Sequence, residues 1–205
     1  MAEEKEVLLE VKDLNVTYGS GRKAFAAVQN ANFQIYKGET FGLVGESGSG
    51  KTTIGRAILR ILPTSGGEIL YKGQKINGRI PRALDKQITR EIQMIFQDPY
   101  ACLDPLSVVS DIVAEGMKIH KMYKGPELEE RVLELLKMVG LNKDHANRFP
   151  HEFSGGQRQR IGIARALSLE PKLIVCDEPI SALDVSIQAQ ITNLLKNIQK
   201  ELGIA

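Results

Sequence analysis

Two long segments near the amino terminus alternate apolar and polar residues, which is the period of a strand with one buried face. They are residues 6–18 (EVLLEVKDLNVTY) and residues 25–36 (FAAVQNANFQIY), and both are enriched in β-branched and aromatic residues. The segment between them carries Gly19, Ser20 and Gly21. The pattern predicts a pair of strands joined by a polar loop.

Three further elements are predicted before the middle of the chain. Residues 40–44 form a short apolar run that predicts a strand, and residues 51–62 have helical spacing that Pro63 stops. Residues 66–76 (GGEILYKGQKI) predict another hairpin, with Gly73 at its turn.

The pattern becomes helical in the middle of the chain. A segment begins at Pro126, a residue favoured in the first turn of a helix, and stops at Gly140. Its apolar residues lie on one predicted face: Leu128, Val132, Leu135, Leu136 and Val139. With the less regular residues 106–123, this amphipathic helix indicates an inserted helical subdomain of roughly 50 residues.

The last third combines a strand with a long helix. Residues 172–176 (KLIVC) are fully apolar except at the start, predict a buried strand and place Cys176 in the core. A final helix is predicted before Gly203. Its apolar positions at helical spacing are Ile187, Ile191, Leu194, Leu195, Ile198 and Leu202.

Composition narrows the class of protein. The 205 residues are 42% apolar and 25% charged, with a net charge of +2, which fits one or two globular domains and argues against a nucleic-acid partner. Two cysteines are too few for a disulfide framework and favour a reducing compartment. The charged residues 1–13 do not resemble a signal peptide, and no run of about 18 apolar residues predicts a membrane span.

A phosphate-loop pattern, GxxxxGK[ST], lies between the predicted strand 40–44 and the helix that follows it. Glycines allow a tight turn whose backbone N–H groups cradle phosphates at a helix amino terminus. Lys51 would reach the outer phosphates and the Thr52 hydroxyl would bind magnesium. The predicted nucleotide-binding residues are Gly45, Glu46, Ser47, Gly48, Ser49, Gly50, Lys51, Thr52 and Thr53.

Two carboxylates follow the apolar strand of residues 172–176. Asp177 is a candidate magnesium ligand, and Glu178 is a candidate for orienting or deprotonating an attacking water. Alone, the pair would equally fit a helix cap or a solvated turn. Beside a phosphate loop, it predicts nucleotide hydrolysis.

A second glycine-rich helix start occurs in residues 153–167 (FSGGQRQRIGIARAL). Ser154, Gly155 and Gly156 would open this helix as a second anion-binding amino terminus. A kinase, a GTPase and a transport ATPase are all compatible with the first loop. A chain does not need two phosphate-binding helix starts for one ligand, so the second one distinguishes among these classes. The arginines that follow are predicted to form a solvated or salt-bridged face: Arg158, Arg160 and Arg165. An approach of Arg158 to the nucleotide or to a dimer partner is the alternative.

At this point the sequence resembles the ATP-binding cassette (ABC) family, whose signature is SGGQ, over nearly all of the chain. The resemblance implies an α/β phosphate-loop NTPase with an amino-terminal antiparallel β part, a parallel core sheet and an inserted helical subdomain. It also implies a head-to-tail dimer, in which the phosphate loop of one subunit and Ser154, Gly155, Gly156 and Gln157 of the other sandwich each ATP.

The remaining family elements match in order. Tyr18 lies where the family stacks an aromatic ring on adenine, although an ordinary strand aromatic is the alternative. Gln97 in MIFQDP matches the Q-loop glutamine, which touches the metal and the water and senses the membrane partner. Ser181, Ala182, Leu183 and Asp184 match the D-loop at the dimer interface. The implied cofactors are ATP and Mg²⁺, with Thr52, Gln97 and Asp177 as metal ligands and Glu178, Lys51 and Gln97 as catalytic residues.

A closer resemblance joins residues 96–105 (FQDPYACLDP) with residues 150–167. The pair is similar to the peptide and nickel importer branch, in particular the oligopeptide and dipeptide permease ATPases. It implies a peripheral subunit at the cytoplasmic face of the cell membrane, in a homo- or heterodimer with a second ATPase subunit. Transmembrane permease subunits and, indirectly, a solute-binding protein would complete the importer. A nickel importer, a soluble ABC ATPase and a small-molecule kinase remain alternatives.

One family element has no match. ABC ATPases carry a histidine after the last helix that contacts the γ-phosphate, whereas this sequence ends at Ala205 with no histidine beyond His151. We therefore expect a truncated chain with an incomplete core that binds ATP and hydrolyses it slowly. The expected parts are residues 1–97 (β part and phosphate-loop core), 98–152 (helical subdomain) and 153–205 (signature helix, acidic strand, D-loop and last helix).

Overall fold

The computed structural model describes residues 6–205, apart from the side chain of Arg22. The interpretation of residues 1–5 as part of a non-signal amino terminus lies outside the described residues. The chain divides into two compact units. The first contains the described residues up to Ile92 together with Leu202–Ala205, and the second is Gln93–Glu201. The three-part division expected from the sequence stays a prediction.

The first unit is built on a four-stranded antiparallel sheet with the order β2-β1-β3-β4. Its strands are β1 (Val7–Tyr18), β2 (Phe25–Tyr36), β3 (Gly66–Tyr71) and β4 (Gln74–Lys75). A short 3-10 turn, Gly21–Lys23, joins the first two strands. Gly73, with φ of 75°, sits in the turn between β3 and β4. Both the predicted strand pair and the predicted hairpin are confirmed.

Alternation on β1, interrupted once, accounts for its buried positions. Leu9 and Val11 are buried before an irregularity at Asp13 (φ 46°), and Leu14 and Val16 are buried after it. Burial of these side chains supplies the hydrophobic term that holds the sheet together.

Helix α1 (Lys51–Ile58) begins at the phosphate loop, as predicted, but it is shorter than the predicted helix of residues 51–62. Arg60 has a φ of 61°, which ends the helix. Its guanidinium donates to the carbonyls of Ile76 and Gly78 and lies 3.3 Å from the Asp85 carboxylate. These contacts stabilise Arg60 in its non-helical conformation.

The predicted strand at residues 40–44 is wrong, because these residues adopt no strand in the described part of the chain. Their apolar side chains are exposed, with Val44 at 94%, and Phe41 stacks on Phe33 with ring centroids 5.1 Å apart. An apolar run becomes a strand only when a neighbouring strand satisfies its backbone groups, and pairing of this kind cannot be read from local composition.

Helix α2 (Arg82–Glu91) completes the first unit and was not predicted. Its last residue, Glu91, accepts hydrogen bonds from the Tyr71 hydroxyl (2.8 Å) and from Lys72 Nζ (2.6 Å). Only Ile88 of this helix is buried. A helix with one buried position has almost no periodic pattern of apolar residues, so its sequence does not indicate a helix.

The second unit combines helices with a short sheet. Its elements are β5 (Ile92–Ile95), α3 (Val109–His120), α4 (Pro126–Met138), α5 (Gly155–Leu167), β6 (Leu173–Cys176) and α6 (Val185–Leu202), except for the end residues Ile92 and Leu202, which belong to the first unit. Single 3-10 turns occur at Lys143–His145 and Pro150–Glu152. The predicted helix from Pro126 and the predicted final helix are confirmed. The irregular stretch before Pro126 contains the regular helix α3.

The core of the second unit lies among α3, α4 and α5, which bury the following side chains almost completely: Val113, Met117, Leu135, Leu136, Ile161 and Ile163. β5 and β6 form the parallel sheet, and the backbone N–H of Asp177 donates to the carbonyl of Ile95 across 3.0 Å. Cys176 at the end of β6 is exposed, so its predicted core position is wrong. Among the described residues, β5 is the single neighbour of β6 in this sheet.

The predicted α/β class, with an antiparallel β part, a parallel sheet and helices, is confirmed. Within residues 6–205, none of the helices is both long enough and apolar enough to cross a membrane.

Candidate nucleotide-binding and hydrolysis site

The phosphate loop has a backbone that only glycine accepts at its last position. Gly50 has a φ of 90°, and a Cβ at this residue would lie 2.5 Å from the carbonyl oxygen of Ala27. Gly48 also has a positive φ, 81°. The N–H of Ser49 donates to the carbonyl of Glu46 (3.2 Å), which closes a tight turn immediately before α1. The sequence therefore builds an exposed, glycine-dependent loop at a helix amino terminus.

Lys51 folds back over this loop. Its Nζ donates to the carbonyl oxygens of Gly45 (2.8 Å) and Glu46 (2.9 Å). The first turn of α1 contains no acidic residue, so the ammonium group and the helix amino terminus present positive charge on the same side. Thr52 and Thr53 follow in the first turn, with Thr52 half-buried and Thr53 buried.

Tyr18 lies at the end of β1, beside this helix start. Its hydroxyl is 3.3 Å from Oγ1 of Thr53, and the side chain is 40% exposed. This contact holds the Tyr18 hydroxyl against the first turn of α1. The predicted role of the ring, stacking on adenine, is a proposal taken up below.

Gln97, Glu178 and Ser181 meet in the second unit. β6 ends just before Asp177 and Glu178, and Gln97 lies two residues past the end of β5. Nε2 of Gln97 donates to Oε2 of Glu178 (3.3 Å) and to Oγ of Ser181 (3.2 Å). The Ser181 hydroxyl donates in turn to the carbonyl oxygen of Glu178 (3.1 Å).

Glu178 has an uncommon backbone conformation for a residue with a side chain, because its φ is 45°. Its carbonyl also accepts from the N–H of Ser181 (3.2 Å). Left-handed backbone at a non-glycine residue costs of order 1–3 kcal/mol and persists only where the surroundings hold it. The turn of residues 178–181 therefore holds the backbone from which the Glu178 side chain extends.

The segment after Glu178 leads into α6 through a second set of contacts. Nε2 of Gln188 donates to the carbonyls of Ile180 (3.1 Å) and Leu183 (3.0 Å). The backbone carbonyl of Asp184 accepts the first helical hydrogen bonds of α6, from Ile187 and Gln188. Asp184 is exposed.

The signature sequence forms the amino terminus of α5, as predicted. Oγ of the exposed N-cap residue Ser154 accepts from the N–H of Gln157 (3.3 Å), and Oε1 of Gln157 accepts from the N–H of Ser154 (3.0 Å). This reciprocal pair is a capping box. Gly156 is buried, and a Cβ there would lie 2.6 Å from Cγ2 of Ile187, whereas a Cβ on Gly155 would lie 3.5 Å from Leu183.

The predicted solvated face of arginines is wrong for Arg158. This residue is only 7% exposed. Its Nε and Nη2 donate to the carbonyls of Pro150 (2.6 Å) and His151 (3.2 Å). Its guanidinium carbon lies 3.8 Å from the centroid of the Tyr100 ring. Sequence reasoning missed this pair, since the two residues are distant along the chain and neither belongs to a periodic pattern.

The other two arginines of α5 are half-buried and also bind backbone. Arg160 donates to the carbonyl of Val139 (2.7 Å) and to Oε1 of Gln190 (3.2 Å). Arg165 donates to the carbonyl of Cys102. The arginines of α5 thus connect this helix to the segments around it.

The donor atoms of the predicted metal ligands suit magnesium. Thr52, Gln97 and Asp177 offer hydroxyl, amide and carboxylate oxygens, the hard ligands that Mg²⁺ takes alongside phosphate oxygens and water. Thr52 belongs to the first unit, and Gln97 and Asp177 belong to the second. Residues 6–205 contain no group of three or more His, Cys, Asp or Glu side chains able to hold an ion.

The fold, the phosphate loop and the acidic strand end define an α/β phosphate-loop NTPase. Residues 28–181 match the sequence profile of the ABC transporter family. The chain therefore belongs to the ABC transporter family, and the resemblance noted from the sequence is confirmed.

Within this family, the chain is similar to ATP-binding proteins named for peptide transport. The chain is 58% identical over 200 residues to the oligopeptide transport ATP-binding protein OppF of Bacillus subtilis (strain 168), covering 97% of this chain and 66% of that protein. It is 57% identical over 203 residues to the dipeptide transport ATP-binding protein DppF of Lactococcus lactis subsp. cremoris (strain MG1363), covering 97% of this chain and 64% of that protein. The chain thus spans just under two thirds of the length of these relatives.

Solved structures agree with the family. A dimeric, post-hydrolysis structure of the ATP-binding cassette MJ0796, bound to ADP and Pi, superposes with a TM-score of 0.82 at 33% identity, covering 96% of this chain and 84% of that one. The cbiO1 protein of Clostridium perfringens, part of the ABC transporter complex cbiONQ, also gives a TM-score of 0.82 at 33% identity, covering 98% and 76%.

Proposed function

We propose that this chain is the ATP-binding and ATP-hydrolysing part of an ABC importer for oligopeptides or dipeptides. The observation that carries the nucleotide function is the glycine-dependent loop before α1, over which Lys51 already lies. The observation that carries the substrate class is the identity of 57–58% with proteins named for oligopeptide and dipeptide transport.

Binding of the nucleotide begins at the loop. The N–H groups of residues 45–50 and of the first turn of α1 bind the phosphates. Lys51 exchanges the carbonyls of Gly45 and Glu46 for the outer phosphate oxygens, so the ammonium group leaves two neutral acceptors for a negatively charged one. The ring of Tyr18 stacks on adenine while its hydroxyl stays near Thr53.

Hydrolysis is the in-line attack of water on the γ-phosphate. Magnesium, when bound, offsets the negative charge of the phosphates, and Thr52, Gln97 and Asp177 would hold it. Glu178 accepts a hydrogen bond from the attacking water and orients it. Glu178 is within 3.3 Å of Gln97, so a movement of Gln97 changes the surroundings of the carboxylate.

A second subunit completes the site in this proposal. Ser154, Gly155, Gly156 and Gln157 of the partner supply a second helix amino terminus to the γ-phosphate. Asp184 and the turn before it lie at the interface between the two subunits. Closure around ATP and reopening after hydrolysis then drive transmembrane permease subunits, with a solute-binding protein delivering the peptide.

These partners imply a location for the chain in the cell. We place the chain at the cytoplasmic face of the cell membrane as a peripheral subunit. The expectation that the 205-residue chain turns ATP over slowly stays a prediction.

Reconstitution of the importer tests this function. Proteoliposomes containing the permease subunits and the full-length ATPase subunits are assayed for ATP-dependent uptake of a labelled tetrapeptide, a labelled dipeptide and Ni²⁺. We expect uptake of at least one peptide, no uptake of Ni²⁺, and loss of both uptake and ATP turnover with Glu178→Gln. Nickel uptake without peptide uptake, or full turnover by Glu178→Gln, would contradict the proposal.

A further inference from the structure

Three exposed polar side chains at the end of the second unit's sheet form a closed set of hydrogen bonds. Gln97 Nε2 donates to the Glu178 carboxylate and to the Ser181 hydroxyl, and the Ser181 hydroxyl donates to the Glu178 carbonyl. An amide nitrogen has two protons and a hydroxyl has one. Every proton of the Gln97 amide and of the Ser181 hydroxyl is thus assigned to an acceptor.

This set determines which way the Gln97 amide points. A carboxylate accepts hydrogen bonds and does not donate them, so the nitrogen of Gln97, and not its oxygen, faces Glu178. Because Ser181 gives its single proton to a backbone carbonyl, its oxygen is left as an acceptor for the second amide proton. A single acceptor would let the amide swing about that one bond, whereas two acceptors fix the plane of the group.

The orientation matters because the two ends of an amide have different chemistry. Only the oxygen is a ligand for a hard cation such as Mg²⁺ or Mn²⁺. With the nitrogen bound to Glu178 and Ser181, the oxygen is the end of Gln97 that remains for a metal. A free amide would sample both orientations and would lose part of this preference.

We propose that Ser181 is a positioning residue for the metal site, because its hydroxyl holds the Gln97 amide in the orientation that offers Oε1 to the cation. The inference rests on the proposed function, since the cation is the one that accompanies the nucleotide. Ser181 acts within its own chain in this role and touches neither metal nor nucleotide.

The local setting separates this role from a structural one. Gln97, Glu178 and Ser181 are all exposed, so water can take over any hydrogen bond that a substitution removes. Loss of the Ser181 hydroxyl therefore has little effect on folding. Within its own chain, what it removes is the fixed direction of the Gln97 amide, and with it the direction of the oxygen that is offered to the metal.

The test is the binding of Mn²⁺ to the 205-residue chain, followed by electron paramagnetic resonance, with the non-hydrolysable nucleotide AMP-PNP present in saturating amount. The variants are Ser181→Ala, Ser181→Thr, Gln97→Ala and the double variant Gln97→Ala/Ser181→Ala. The exposed Ser186 supplies a matched control as Ser186→Ala. Binding of AMP-PNP in EDTA, without metal, is measured for each protein by calorimetry.

We expect Ser181→Ala to weaken Mn²⁺ binding by about two- to tenfold, the range of one net hydrogen bond, while binding of AMP-PNP in EDTA is unchanged. Ser181→Thr keeps the hydroxyl and should bind Mn²⁺ as the original chain does. In the Gln97→Ala background, Ser181→Ala should have no further effect, because there is no amide left to orient.

Three results would overturn the inference. The first is Mn²⁺ binding by Ser181→Ala equal to that of the Ser186→Ala control. The second is an equal loss from Ser181→Ala with and without Gln97, which would assign Ser181 a role that does not pass through the amide. The third is a failure of the original chain to bind AMP-PNP at all, which would refute the proposed function and with it this inference.

Discussion

The guanidinium of Arg158 stacks on the ring of Tyr100, with its central carbon 3.8 Å from the ring centroid. Arg158 lies one residue after the signature sequence, and Tyr100 lies three residues after Gln97. The N–H of Tyr100 donates to Oδ1 of Asp98 (2.8 Å), which holds the turn that presents the ring. The stack therefore joins the start of α5 to the segment that follows Gln97, inside the second unit.

We predict that the ring of Tyr100, and not its hydroxyl, stabilises this unit. Tyr100→Ala should lower the free energy of unfolding by about 1 kcal/mol, because a cation over an aromatic face contributes roughly 0.5–2 kcal/mol. Tyr100→Phe keeps the ring and should unfold as the original chain does. Urea unfolding followed by circular dichroism measures both. Equal losses in the two variants would show that the hydroxyl, rather than the stack, is responsible.

Arg158 should matter more than its partner. Arg158→Ala removes the stack and also the guanidinium hydrogen bonds to the carbonyls of Pro150 and His151, so we expect a loss of about 2 kcal/mol or more in the same unfolding experiment. In a double-mutant cycle, Tyr100→Ala should cost nothing further once Arg158 is gone. Additive losses would mean that the two residues act independently.

Gly50→Ala should prevent nucleotide binding and destabilise the first unit. The new Cβ would meet the carbonyl of Ala27 at 2.5 Å, and a φ of 90° is already unfavourable for alanine. We expect a loss above about 2 kcal/mol in the free energy of unfolding. Gly73→Ala is the matched control, since φ there is 75° but the space is open, and it should cost about 1 kcal/mol. Equal losses at Gly50 and Gly73 would show that the close approach to Ala27 is not important.

The contribution of Glu91 to stability should depend on pH. Partial burial raises the pKa of this carboxyl, but hydrogen bonds from Lys72, Tyr71 and Gln87 outweigh burial and hold the pKa below its usual 4.5. The native state therefore binds the proton less readily than the unfolded state does. The contribution is present in full above the unfolded pKa and is lost as the pH falls through the lower, native pKa.

The measurement compares unfolding of the original chain and of Glu91→Gln from neutral pH down to about pH 3. We expect Glu91→Gln to be less stable at neutral pH and the difference to shrink once the pH is below 4.5. Glu130→Gln, at an exposed position of α4, is the control and should change stability little at any pH. A difference between the original chain and Glu91→Gln that stays constant down to pH 3 would contradict this account.

Tyr18 should contribute to nucleotide affinity through the face of its ring. Tyr18→Ala should weaken ATP binding by about tenfold or more, because stacking of a base on an aromatic ring contributes roughly 1–3 kcal/mol. Tyr18→Phe loses only the contact with Thr53 and should bind nearly normally. Inorganic triphosphate has no base, so its binding should be the same in all three proteins. Calorimetry that shows equal losses for ATP and triphosphate would place the role of Tyr18 at the phosphates.

Elements with a strong local pattern were predictable from the sequence. The strands β1 and β2, the hairpin at Gly73, helix α4 from Pro126 and helix α6 all carry a clear period or a clear punctuating residue. The residues that meet around Glu178 were also identified, because Gln97 and Ser181 belong to motifs of the ABC family. Their mutual distances could not be read from the motifs.

Features that depend on distant partners were not predictable. The apolar run at residues 40–44 looks like a strand locally, but it has no neighbouring strand among residues 6–205. Arg158 looks like a surface charge, and it is buried because carbonyls of residues 150 and 151 surround it. Cys176 looks like a core residue, and it is exposed at the end of β6. Each of these errors concerns packing between segments that are far apart in sequence.

The central claim is that two copies of this chain enclose ATP between the loop at Lys51 and the signature at Ser154. Sedimentation velocity of the Glu178→Gln variant, with and without ATP, tests it most directly, because blocked hydrolysis keeps the nucleotide intact. We predict a monomer without ATP and a dimer with ATP. Ser154→Arg should bind ATP and stay monomeric, and Ser154→Thr, which preserves the helix cap, should dimerise. A chain that binds ATP and remains a monomer, or a dimer that Ser154→Arg leaves intact, would contradict the claim.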